Sequence, residues 1–176
     1  MMKLPKYLVG GSLALLAAGI VVGVVGAQGF DFAMEKTNST EFCISCHEME
    51  AHPWQESLGK AHAASRVGFT VGCADCHVPK EFIPKMKRKI EASREVWHHL
   101  LGTLDTPEKY EQHRAEMADR VWETMEENDS ASCRNCHNAE KIGSTEMINN
   151  MHQQALGSGA TCITCHKGIA HDLPGQ

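Results

Sequence analysis

The sequence predicts an all-α chain: a single N-terminal transmembrane helix, then a small helical domain with little apolar core of its own. Three observations predict it. Leu8 to Ala27, LVGGSLALLAAGIVVGVVGA, is an uncharged apolar run. Aromatic residues make up only 6% of the chain and the mean hydropathy is -0.32, so the part after that run is short of material for a core. All eight cysteines fall into four CxxCH motifs, which leaves none for a structural disulfide.

The apolar run comes first. At 1.5 Å per residue it reaches about 30 Å, the thickness of a bilayer core. Lys3 and Lys6 precede it, which keeps the N-terminus cytoplasmic and puts the residues beyond about 28 across the membrane. Val25-Gly26-Ala27 resembles the small-residue site of a cleaved signal peptide, but the run exceeds the usual h-region of about 7–15 residues, which favours a retained anchor. The expected location is the bacterial inner (cytoplasmic) membrane, single-pass, with the rest of the chain on the periplasmic side. The net charge of -5 and the pI near 6.1 give no reason to propose nucleic-acid binding.

The motifs are CISCH (Cys43, Cys46, His47), CADCH (Cys73, Cys76, His77), CRNCH (Cys133, Cys136, His137) and CITCH (Cys162, Cys165, His166). CxxCH is the attachment signature of a c-type haem: two thiols become thioethers to the porphyrin and the histidine binds iron from one face. A zinc knuckle or a redox dithiol would explain one CxxC, but not four that all end in histidine. The expectation is four covalently attached haem c groups in a small, haem-organised multihaem cytochrome c domain. Without them little structure outside the first helix should persist, as in small domains that depend on a metal.

The motifs come in two pairs with nearly equal spacing. His62 precedes Cys73, and His152 precedes Cys162, at almost the same offset. Each is followed by a small, glycine-containing stretch, RVGFTVG or ALGSGAT. This is an internal repeat of a dihaem unit. The predicted organisation is a cytoplasmic stub and anchor over 1–28, a first dihaem unit over 29–78, a helical connection over 79–132 and a second dihaem unit over 133–176. In the connection, Phe82, Ile83, Met86, Ile90, Val96, Trp97, Leu100 and Leu101 recur at helical spacing and Gly102 closes the pattern. Thr106 then reads as an N-cap with Pro107 at the first helical position, opening a helix to about Glu127.

Of 11 histidines, seven lie outside the motifs: His52, His62, His98, His99, His113, His152 and His171. Neutral imidazole is a common metal ligand. His62 and His152 stand out because the repeat places them equivalently. His171 is too close to His166 to reach around the same porphyrin, so it would serve a different haem. His98 and His99 point in different directions from one helix, so at most one is expected to bind iron. His113, amid charged neighbours, reads as solvated, and His52 leans structural.

CISCHEM, CADCHVPKE, REVWHHLLGTLDTPEKYE, CRNCH and CITCHKGIAHDLP, behind a membrane helix, together resemble the NapC/NirT family of membrane-anchored tetrahaem quinol dehydrogenases. The resemblance covers nearly the whole chain and is closest to members serving periplasmic nitrate reductase. It implies His62, His98, His152 and His171 as distal iron ligands, with His98 preferred over His99.

Met49 lies two residues after His47. The two cannot straddle one porphyrin, so Met49 either packs or replaces His47 as ligand. The resemblance to relatives with the CxxCHxM pattern implies the second course, with an acidic side chain over the far face of the first haem and quinol bound beside it. The position that matches that acid here is Glu95, and Lys89 is the candidate quinol-site lysine. His98, three residues beyond Glu95 on a similar helix face, could instead close the site. Lys85, Lys87, Arg88 and Lys89 also read as a patch facing lipid headgroups.

The expected function is quinol dehydrogenase. Membrane menaquinol or ubiquinol would give up electrons at the first haem, and a periplasmic reductase, nitrate reductase foremost, would take them from the far end. The alternatives are a tethered electron-transfer wire loaded by another membrane complex, or a quinol dehydrogenase serving a nitrite or other reductase. Nothing in the sequence excludes a homo-oligomer.

Overall fold

The structure is a computed structural model that describes residues 6–63, 68 and 70–175, with side chains from Gly11 onward. Lys3, the side chain of Lys6, and residues 66, 67 and 69 of the RVGFTVG stretch lie outside the described residues. Among the described residues there are helices and turns and no strand. The chain forms two compact units that divide between Asn38 and Ser39.

The first unit is one helix, α1 (Lys6–Lys36), 31 residues long. It outruns the apolar stretch because Phe30-Asp31-Phe32-Ala33-Met34-Glu35-Lys36 contains no proline and several good helix formers. Lys36 in the last turn complements the negative end of the helix dipole. Thr37 Oγ1 donates to Ala33 O at 2.7 Å and closes the end. The span Gly11–Lys36 is long and apolar enough to cross a bilayer, and none of it is buried within the protein.

The second unit opens with α2 (Thr40–Cys43) and α3 (His47–Met49). A π-helical turn (Glu50–Trp54) and α4 (Gln55–Leu58) follow without a break. Pro53 explains the widened turn: it lacks an N–H, and its ring would strike the carbonyl four residues back in a regular helix.

After α5 (Cys73–His77) come the two long helices α6 (Phe82–Leu100) and α7 (Pro107–Glu127). The cap at Thr106 is as the sequence implies, with its Oγ1 accepting from Lys109 N at 3.4 Å. Gly102 takes φ +64° just past α6. This lets Gly102 N–H reach His99 O and Thr103 N–H reach His98 O, which satisfies the carbonyls left over at a helix end. The chain finishes with α8 (Ala131–Arg134), a 3-10 turn (Ala139–Lys141), α9 (Glu146–Gly157) and α10 (Cys162–Cys165).

Only two apolar side chains among the described residues are buried, Tyr110 and Ile163. Phe82, Ile83, Ile90, Trp97 and Leu100 of α6 are exposed. A domain of this size with so little aliphatic core needs another apolar filler. The CxxCH motifs supply the points where porphyrins would attach.

The motif helices meet in chain order. The α2 helix, which carries Cys43, packs against α5, which carries Cys73. Cys76 lies within electrostatic reach of Cys133 and Cys136, and Cys133 of Cys162. Two hydroxyls tie the pairs together. Thr40 Oγ1 accepts from Cys73 N at 3.4 Å, and Ser130 Oγ accepts from Ile163 N at 3.1 Å. Each hydroxyl stands three residues before the first cysteine of its pair, so the repeat read in the sequence extends to its backbone struts.

Candidate haem sites

Each motif histidine faces one non-motif histidine. Ring centroids are 5.8 Å apart for His47 and His99, 6.2 Å for His77 and His171, 6.1 Å for His137 and His62, and 6.2 Å for His166 and His152. Two metal–nitrogen bonds of about 2 Å and the two ring radii add to about 6 Å, so each gap suits an iron held between imidazoles.

Two of the ring nitrogens away from the gaps are paired with backbone carbonyls. His152 Nδ1 bonds Ile148 O at 2.9 Å, and His171 Nδ1 bonds Pro53 O at 3.1 Å. A carbonyl only accepts, so Nδ1 carries the proton in both and Nε2 is left with a lone pair, the arrangement found in metal-binding histidines. His62 Nδ1 is buried and has no hydrogen-bond partner. Burial also lowers the pKa of His77 to about 4, so its imidazole is neutral and able to bind a metal without losing a proton.

The pairing crosses the repeat. His62, in the first half, faces His137 in the second, whereas His171, near the end of the second half, faces His77 in the first. Only the fourth pair, His152 with His166, stays within its own half.

The first pair differs from the rest. Its histidines share a buried carboxylate. The Glu48 carboxylate, 5% exposed, reaches both: Oε1 lies 2.6 Å from His99 Nδ1 and Oε2 lies 3.5 Å from His47 Nε2. Cys46, Glu48 and His99 form the one group of three potential ligands among the described residues whose donor atoms converge. Glu48 escaped sequence reasoning, although its place between His47 and Met49 in CISCHEM marked it.

His99, rather than the expected His98, faces His47. Adjacent residues differ by about 100° around a helix, so only one of the two can face inward. His98 is exposed and pairs its Nδ1 with Thr103 Oγ1 at 3.2 Å. Met49 ends α3 and is half-buried. Glu95 is 65% exposed and bonds Arg88 at 2.7 Å. Lys89 lies within electrostatic reach of Cys43, and partial burial pulls its ammonium below the ordinary lysine pKa. His52 stacks on Tyr110, with centroids 4.1 Å apart and planes within 8°, a structural role. His113 bonds the Lys109 carbonyl of its own helix.

Four CxxCH motifs whose histidines each face a second histidine, in a domain with two buried apolar side chains among its described residues, define a multihaem c-type cytochrome. Comparison with known proteins agrees. The model of the NapC/NirT cytochrome c family, N-terminal region, matches residues 7–176. The chain is 48% identical over 175 residues to the cytochrome c-type protein NapC of Escherichia coli strain K12, covering 98% of this chain and 86% of that protein. It is 45% identical to the denitrification system component NirT of Stutzerimonas stutzeri, covering 96% of this chain and 84% of the other. It is 42% identical to a protein of Allochromatium vinosum named as a tetraheme cytochrome-c type, covering 92% and 90%. No solved structure matches. The chain belongs to the NapC/NirT cytochrome c family. It is an electron-transfer cytochrome with covalently bound haem c, and its N-terminal helix fits a single-pass membrane anchor.

Proposed function

We propose that this chain is a tetrahaem quinol dehydrogenase of the inner membrane, with its haem domain on the periplasmic side and a periplasmic reductase as electron acceptor. The relatives named NapC and NirT make nitrate reductase the leading acceptor and a nitrite reductase the next. The observation that carries the reading is the order of the motif helices. The α2 helix packs against α5 and α5 against α8, and Ser130, next to α8, bonds Ile163 of α10, so the motif helices adjoin one another in chain order.

The cysteine pairs would attach four porphyrins. His77 with His171, His137 with His62, and His166 with His152 would close the second, third and fourth sites from both faces. At the first site Met49 would replace His47 as ligand and leave the far face open for quinol. Haem, when bound, supplies a one-electron acceptor at each site.

Quinol oxidation also releases protons, which iron does not take. A carboxylate must receive them, and a lysine can orient the quinol oxygen. Glu95 and Lys89 of α6 are assigned these parts. Arg88 fixes the Glu95 carboxylate, and Lys89 stands near Cys43 of the first motif. The test is stopped-flow haem absorbance of the oxidised protein mixed with reduced menaquinol or ubiquinol analogue. Fast partial reduction that disappears in Glu95→Gln or Lys89→Ala, with dithionite reduction intact, is the expected result. No reduction by either quinol, in protein that dithionite reduces fully, would overturn the proposal.

One observation favours a second reading. His99 facing His47 gives the first site the same pair of histidines as the others. A first iron closed on both faces suits a tethered wire loaded by another membrane complex. That reading predicts four low-spin haems, whereas an open first site predicts a high-spin component.

A further inference from the structure

The C-terminal tail returns to the first half of the domain and is held there by charge. Arg114 of α7 is 13% exposed and Glu56 of α4 is 14% exposed. Arg114 Nη2 donates to Glu56 Oε2 and to the backbone carbonyl of Asp172, both at 2.8 Å, and Nη1 donates to Glu111 at 2.9 Å. Glu56 Oε2 accepts in turn from Asp172 N at 2.9 Å. Lys60 Nζ bonds Asp172 Oδ1 at 2.6 Å. Tyr110 lies beneath the guanidinium, 5.9 Å from its carbon, and stacks on His52 at its ring.

Both backbone groups of Asp172 are therefore captured, one by Glu56 and one by Arg114. That fixes the peptide immediately after His171. The ring of His171 is fixed from its other side by Pro53 O, which accepts from Nδ1. Pro53 and Glu56 lie three residues apart in the same continuous helical segment, so both ends of the clamp share one rigid element.

We propose that Arg114 and Glu56 are positioning residues for the second haem site: their ion pair holds the tail so that His171 faces His77. Guanidinium suits this part because its planar fork serves a carboxylate and a carbonyl at once, which an ammonium on a flexible stem does not reproduce. The proposal rests on reading His77 and His171 as one ligand pair.

The test uses the full-length, haem-loaded protein in detergent. Carbon monoxide binding to the reduced form counts open irons, and low-temperature EPR of the oxidised form counts high-spin ones. His171→Ala should open one haem of the four. Arg114→Ala should open the same haem, and Arg114→Lys should leave it partly closed. Glu56→Gln, which keeps an acceptor oxygen but loses the charge, should also open it in part. Arg120→Ala, an exposed residue of the same helix, should open none.

If Arg114→Ala does not accumulate, the comparison of Glu56→Gln with Arg120→Ala decides. Should His171→Ala open one haem while Arg114→Ala and Glu56→Gln open none, the positioning role is wrong and the ligand pair stands. Should His171→Ala open none, the ligand pair itself is wrong.

Discussion

Ser130 Oγ accepts the backbone N–H of Ile163 at 3.1 Å, across 33 positions of sequence. Ser130 is fully buried and sits in the left-handed region at φ +51°. The matching bond in the first half, from Cys73 N to Thr40 Oγ1, also spans 33 positions. These struts set the distance between the two attachment helices of each pair.

Replacing Ser130 with alanine should therefore destabilise the domain by roughly 1–3 kcal/mol, since it orphans a buried donor. Ser130→Gly loses the same bond but relieves the left-handed backbone, so it should lose less. Thermal unfolding of the two variants with equal haem content measures the difference.

The histidine pairs predict separable effects on single haems. His62→Ala and His152→Ala should each convert one low-spin haem to a high-spin, carbon monoxide-binding form and leave the other three unchanged. His98→Ala should leave all four signals as they are, because His98 is exposed and turned toward Thr103. Loss of a low-spin signal in His98→Ala but not in His99→Ala would reverse the assignment at the first site.

Gly143 adopts φ +153°, and a Cβ placed there would meet Asn149 N at 2.8 Å. That nitrogen is backbone at the start of α9, the helix that carries His152. Gly143→Ala should cost roughly 1–3 kcal/mol in strain. It should also broaden the low-spin EPR signal of the fourth haem before those of the others. Urea unfolding followed at the Soret band, alongside EPR, tests both.

Haem itself should act as the core. With two buried apolar side chains among the described residues, the second unit lacks the burial to fold unaided. A variant with all eight cysteines changed to serine should keep little far-UV circular dichroism beyond that of α1. Near-native helicity in that variant would show a protein core sufficient without the cofactor.

Much of this architecture was legible in the sequence because local chemistry fixed it. Thr106, Pro107 and the run to Glu127 delimit α7 at both ends, and Gly102 stops α6 as its pattern implied. Helices of this kind announce themselves through caps and periodicity. The ligand pairs were less legible, since a histidine's partner depends on how distant elements meet. The repeat singled out His62 and His152 without saying that His62 faces the other half. The choice between His98 and His99 turned on the rotation of α6, which sequence spacing leaves open by one residue. Lys85, Arg88, Ala92 and His99 are among the half-buried positions of α6 and recur at helical spacing along its inward side. The π-helical turn follows from Pro53, but whether proline breaks or only widens a helix is settled by its neighbours; Glu48 stood in the CISCHEM motif, and its burial came only with the packing of α3.

The exchange of histidines between halves, His62 outward and His171 back, makes the haem domain resemble an internal domain swap. Such an arrangement resists modular shuffling. On the ligand pairing proposed above, a cut between the halves would not yield two smaller cytochromes, since it would leave one unclosed iron on each side. Two separately expressed halves would have to find each other before either could mature fully. Duplication of a dihaem unit can account for the repeat, but on the proposed pairing the copies share one fate: a change in the tail would be felt first at a motif in the opposite half.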